Sequence, residues 1–206
     1  GKTEAWHVLR AAPGASLLCG LQPGSTPEGV ADAVRGGAIL EQIQRLEMRA
    51  GDSILIQAGM LHALGPGLMV YEVQQTSDIT YRVYDWDRPS SGSRPLHIDK
   101  SLRVIDPGLQ PRVTPQPPLA AGQRASLVQS QYFHLQLLAA GKTPLQMDTG
   151  QQTFHALTAL DGSVRVRGAD WEAQLDALQT LLIPAGLGAY HLDAAAEVRV
   201  LCAGTV

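Results

Sequence analysis

His62 closes a string of residues that could build a metal site. Gly51-Asp52 makes a turn, Ser53 to Gln57 reads as a strand, a second turn falls at Gly59, and His62 follows it. A neutral imidazole fixed at a strand end is a good ligand for zinc. The same string also describes a histidine satisfied within its own turn, so alone it leaves both readings open. The stretch from Tyr71 to Arg88 is dense in polar groups. On a strand, Glu72 and Gln74 share one face while Val73 takes the other. Arg82 and Tyr84 would likewise share a face of a strand running from Tyr81 to Trp86. A cleft lined by Glu, Gln, Arg and Tyr suits a polyhydroxy, anionic ligand, because the planar fork of arginine matches phosphate. An exposed polar sheet face would carry similar residues. Glu72 and Arg82 resist that reading, since each interrupts an apolar or β-favouring run.

Positioning such residues takes strands, and the chain is punctuated for them. Gly and Pro number 21 and 13, the mark of many turns between short strands. Ala5 to Cys19 reads as two strands around a turn at Ala12-Pro13-Gly14. Thr26-Pro27-Glu28 reads as a helix start: a Thr cap, Pro in the first turn and an acid at the positive end. Val30 and Val34, then Ile39, Ile43 and Leu46, keep a helical period across a break at Gly36-Gly37, which predicts two short helices inserted among strands. Strands are expected again at Leu68 to Gln75. Past a Pro-rich stretch, they recur at Tyr132 to Leu138, Phe154 to Leu160, Ser163 to Arg167, Gln179 to Ile183 and Val198 to Leu201. The reading is a mostly β protein with three parts: residues 1–106, an extended Pro-rich linker at 107–125, and a smaller β unit at 126–206.

Bulk properties narrow the function. With 45% hydrophobic and 17% charged residues the composition is that of a globular chain, and a net charge of -3 without a basic run gives nucleic acid no purchase. No stretch approaches the roughly 20 apolar residues of a membrane span, and the first residues do not read as a secretory leader. The two cysteines, Cys19 and Cys202, form no C-x-x-C pair, which fits a reducing cytoplasm. The sequence assigns no oligomeric state. It lacks an initiator Met and begins in what reads as mid-strand, as a piece of a longer protein would.

The string ending at His62 is similar to the second motif of the cupin fold, with Gln57 where Pro is usual. Four segments together resemble the motif series of the short bacterial type I mannose-6-phosphate isomerases: Gly1-Lys2-Thr3-Glu4, Ala58 to Ala63, Glu72 to Asp78, and Tyr81 to Arg88. They stand in the family's order and spacing. Leu96 to Leu102 resembles the segment that closes the family's first barrel. The resemblance is dense as far as Asp106 and sparser beyond.

It implies two cupin-type jelly-roll barrels, the first incomplete and carrying a short helical insertion, the second smaller and metal-free. It implies one zinc held by a Gln and a His of an upstream Gln-x-His, by Glu4 and by His62, so that two ligands lie outside this chain. Arg82 matches the family's catalytic arginine and Glu72 an active-site carboxylate. Lys2, two residues before Glu4 on an extended segment, would lie on the same face, close to the metal. The implied substrate is a sugar phosphate, mannose 6-phosphate interconverting with fructose 6-phosphate, and the chain alone is expected to bind zinc weakly and to be inactive. Two other readings stay open: a cupin that binds sugar without turnover, and a different metal-dependent cupin enzyme such as a dioxygenase. In the second half, Leu182 to Ala189 repeats the strand–turn shape with Ala189 at the ligand place. His155 and His191 there are expected to be structural.

Overall fold

The computed structural model describes residues 1–88 and 94–206 and divides into two compact units, Gly1–Val113 and Thr114–Val206. The division falls inside the Pro-rich 107–125 segment.

In the first unit β1 (Glu4–Ala11) and β2 (Ser16–Leu21) flank a turn with Gly14 at φ +73°. They do not pair with each other: the turn carries the chain from one sheet to another. Helix α1 (Pro27–Arg35) starts as its sequence dictates, with the Thr26 side chain accepting from the Gly29 amide, Pro27 in the first turn and Glu28 beside it. The second expected helix does not form. After Gly37, at φ +76°, there is one 3-10 turn, Ile39–Gln42, and Ile43 opens β3 (Ile43–Glu47) opposite Leu21 of β2. The apparent helical period of Ile39, Ile43 and Leu46 therefore spans a turn and a strand. Strands β4 (Ser53–Ile56), β5 (His62–Leu64) and β6 (Leu68–Gln74) follow, then the short helix α2 (Ile98–Leu102) and the two-residue β7 (Val113–Thr114).

The sheets are ordered β6-β1-β4-β7 and β3-β2-β5. Trp6, Val8, Ile54 and Ile56 from the first meet Leu17 and Cys19 from the second, with Met48 and Met60, in one buried cluster. On its other face the three-stranded sheet is covered by α1, through Val30, Ala33 and Val34 against Leu18, Leu21 and Ile43. Each valine, leucine or isoleucine among them contributes about 1.5–3 kcal/mol when fully buried, which is what fixes a nine-residue helix too short to be stable alone. Register between β1 and β6 shifts between Val8 and Arg10, a bulge. Residues 81–86, expected as a strand, run irregularly into a turn where Trp86 and Asp87 take φ +57° and +52°. Arg82 is instead tied to His97, whose amide donates to the Arg82 carbonyl at 2.7 Å.

The second unit comprises β8 (Arg124–Gln129), β9 (Phe133–Ala140), β10 (Leu145–Asp148), β11 (His155–Ala159), β12 (Ser163–Arg167), β13 (Glu172–Asp176), β14 (Thr180–Ile183), β15 (Ala189–Asp193) and β16 (Val198–Thr205). They form sheets β14-β11-β16-β9-β8 and β10-β15-β12-β13. Leu138, Leu157 and Val200 of the first pack against Val166, Tyr190 and Leu192 of the second. Strands β8, β10, β13 and β15 escaped the sequence pattern.

Candidate active site

Alternation along β1 turns Glu4 and Trp6 toward the core, and cross-strand register sets Gln74 beside Glu4 and Glu72 beside Trp6 on the same inner face. On the facing sheet His62 lies opposite Cys19 of β2 and also points inward. The two sheets thus bring Glu4 and His62 together, with Nε2 of His62 2.6 Å from Oε1 of Glu4. The Met60 carbonyl, 2.9 Å from Nδ1, holds the other side of the ring, and Trp6 lies edge-on to it at 5.4 Å between centroids. Gly59 makes this turn possible. Its φ is +96°, and a Cβ there would meet the Val104 carbonyl oxygen at 2.8 Å.

Lys2 sits among the acids. Its ammonium lies 3.0 Å from Glu4 and 3.7 Å from Glu72, and it donates to the Gln74 side chain. Thr3 faces the other way, with its amide donating to Gln75 Oε1 and its hydroxyl accepting from the Ala58 amide, so the segment before β1 is pinned. A cavity of about 640 Å³ opens over this cluster; Lys2, Glu4, His62, Glu72 and Arg82 all line it. The structure therefore brings together all five residues singled out in the sequence.

The two carboxyls are shifted in opposite directions. Burial pushes the Glu4 carboxyl up, but His62 and then Lys2, by hydrogen bond and charge, outweigh it and bring its pKa down to about 2. Glu72 is raised, by burial first and then by the neighbouring Glu4, with Lys2 and the nearby Trp6 indole opposing. Burial would lower His62, yet its bonds to Glu4 and to the Met60 carbonyl turn the shift upward. One acid held ionised beside one inclined to keep its proton is how paired carboxyls divide roles.

Several lining residues were missed. Arg94 faces the cavity while its Nε and Nη2 both donate to Asp85, each at 3.1 Å, and Arg88 joins the same carboxylate. Nothing periodic around Arg94 announces this. Trp6 could have been found, standing two residues after Glu4 on an alternating strand. Ser101 of α2 lines the cavity, its hydroxyl buried and without a hydrogen-bond partner. In the second unit Ala189 opens β15, and His191 is partly exposed opposite Gln146 and Arg167. One ring nitrogen each of His155 and His134 and the Cys202 sulfur lie within 4.8 Å of one another.

No protein-family model matches the chain. Among curated proteins it is 29% identical to the mannose-6-phosphate isomerase ManA of Bacillus subtilis (strain 168) over 206 residues. It is 30% identical to a probable mannose-6-phosphate isomerase, GmuF, of the same organism over 205. Each match takes in 97% of this chain, and the chain spans 64% of either relative's length. A mannose-6-phosphate isomerase of Streptococcus mutans matches at 38% over 117 residues. Of solved structures, the mannose 6-phosphate isomerase from Bacillus subtilis superposes with a TM-score of 0.83 at 23% identity, over all of this chain and 65% of that one. One bound with zinc and yttrium superposes at 0.72 and 11% identity, over 97% of this chain and 66% of that one. The fold is thus the mostly β, cupin-type fold of the phosphomannose isomerases. Over nearly all of its length the chain is similar to proteins named as mannose-6-phosphate isomerases.

Proposed function

We propose that this protein interconverts mannose 6-phosphate and fructose 6-phosphate with a zinc ion held at Glu4 and His62. The observation that carries the proposal is the meeting of an acid and an imidazole from opposite sheets on one cavity wall, beside a second carboxylate and two cations. The donors fit zinc. Oε2 of Glu4 is buried with the Lys2 ammonium 3.0 Å away, and the Met60 carbonyl holds Nδ1 of His62, so that Nε2, already 2.6 Å from Glu4 Oε1, is the ring atom turned toward an ion. Bound zinc would supply Lewis-acid stabilisation of negative charge on the sugar oxygens.

The remaining work falls to side chains. Glu72, whose pKa is raised, takes a proton from one of C1 and C2 and returns it to the other through a cis-enediol. Lys2 holds Glu4 ionised and steadies Glu72. Arg82 offers a planar donor pair to negative charge on the substrate. Two protein donors leave a zinc shell open, so the 206-residue chain alone should bind zinc weakly and turn over nothing. Cys19 and Cys202, buried and unpaired, suit a cytoplasmic enzyme.

The test is a coupled isomerase assay on the protein extended upstream to the length of its relatives. Glu72→Gln should keep zinc and lose turnover by about 10²-fold or more. Full turnover in Glu72→Gln would remove it from proton transfer, and zinc-independent activity would overturn the reading as a whole.

A further inference from the structure

We infer that the second unit holds a transition-metal site of its own, ligated by His134, His155 and Cys202 and suited to zinc or another thiolate-binding ion. Three strands of one sheet supply the ligands: His134 from β9, His155 from β11 and Cys202 from β16, which lies between them. The His155 ring and the Cys202 sulfur are buried among core residues, and His134 is partly exposed, giving an ion a way in. Zinc takes nitrogen at about 2.0–2.1 Å and thiolate sulfur at about 2.3 Å. Donor atoms already within 4.8 Å of one another need move by an ångström or less to share it.

Two further features fit a ligand site better than core filling. Tyr190, from the opposite sheet, lies with its hydroxyl 2.6 Å from Nδ1 of His155. That contact orients the ring and leaves Nε2 as the donor, as outer partners do for metal-bound histidines. Gly204 leaves the room that His134 occupies: a Cβ there would come within 2.8 Å of the His134 ring and 2.9 Å of the Phe154 carbonyl. Cys202 is fully buried and in no disulfide, so its sulfur stays available to an ion. The charged groups that face the cluster are Arg124, which disfavours a cation but favours the thiolate, and Asp148, which does the reverse for the ion. Nitrogen and sulfur donors of this kind select zinc over calcium or magnesium.

Cobalt reads the site without any enzyme activity, so its outcome is independent of the isomerase proposal. The metal-free 206-residue chain is titrated with Co²⁺ and followed by the thiolate-to-cobalt charge-transfer band. The chain has two thiols, so Cys19→Ser isolates Cys202. The band should appear in wild type and Cys19→Ser, vanish in Cys202→Ser and be displaced by zinc. Tyr190→Phe should weaken cobalt binding by roughly tenfold to a hundredfold. No band in Cys19→Ser, a band surviving in Cys202→Ser, or unchanged affinity in Tyr190→Phe would each overturn the inference. Should Cys202→Ser fail to fold, the Cys19→Ser chain still decides it.

Discussion

On the proposed reading Arg82 and the Glu4–His62 pair do separable jobs, and substitution can part them. Glu4 and His62 offer lone pairs, so Glu4→Ala or His62→Ala in the upstream-extended protein should lower bound zinc, read by elemental analysis. Arg82 offers a fixed fork and a permanent charge, and lysine keeps the charge without the fork. Arg82→Lys should therefore retain zinc and lose kcat by tenfold to a thousandfold, roughly 1.4–4 kcal/mol, with little change in KM. A raised KM with intact kcat would make Arg82 a phosphate holder only. At this scale the site was largely legible. Glu4, His62, Glu72, Lys2 and Arg82 line one cavity, because alternation along a strand preserves facing and the motif order preserves spacing. The partners that close the cavity were not legible. Arg94 lines it while bound to Asp85, nine residues earlier, a contact that no sequence period encodes.

Among the elements, the turn between β4 and β5 is the most exacting. It must deliver His62 to the inner face within a few residues, and Gly59 allows this through a left-handed backbone passing close to Val104. Gly59→Ala adds a methyl against a carbonyl in a conformation that L-residues avoid. It should cost about 1–3 kcal/mol, measured as a lower urea midpoint with unchanged slope. An unaltered midpoint would mean the backbone can relax there. The elements read wrongly share a cause. Residues 81–86 have the composition of a strand but pair with no strand among the described residues, and polar ties to His97 replace the ladder. Strands such as Glu172–Asp176 show the converse. They bury one or two apolar residues and expose acids and amides, so their alternation is too short to stand out until β12 pairs with them.

Over the whole molecule, acid should act through histidines buried without charge. His7 is 1% exposed, its Nδ1 2.9 Å from the Ser53 hydroxyl, and burial brings its pKa from 6.5 down to about 4. Between those values the unfolded chain binds a proton that the folded chain refuses, so stability rises with pH. The contribution is complete above 6.5 and is lost as the pH falls to 4, amounting to roughly 3 kcal/mol. His134 and His155 are shifted the same way, also by burial first. The depressed Glu4 adds a separate, lower window, from 4.5 down to about 2. Urea midpoints taken across this range should fall with acid, and His7→Gln should flatten the part above pH 4. An equal slope in wild type and His7→Gln would assign the loss to other groups. The prolines mark the stretch in which the two units meet in sequence, but nothing in the sequence marks the convergence of His134, His155 and Cys202. They lie far apart in the chain and meet only when β9, β16 and β11 are set side by side.

The bulge at Val8–Arg10 has a consequence for anyone wishing to alter the chain's length. In a strictly alternating strand, one added residue reverses every side chain on one side of it. Here the strand already carries a surplus residue between the inward acid at Glu4 and the turn at Pro13-Gly14, and that surplus acts as a slip joint. Loops, labels or recognition tags grafted at Pro13-Gly14 would have their strain taken up at the bulge. The face bearing Lys2, Glu4 and Trp6 would keep its orientation. A single residue inserted between Lys2 and Trp6, ahead of the joint, would have no such relief and would turn part of that face inside out.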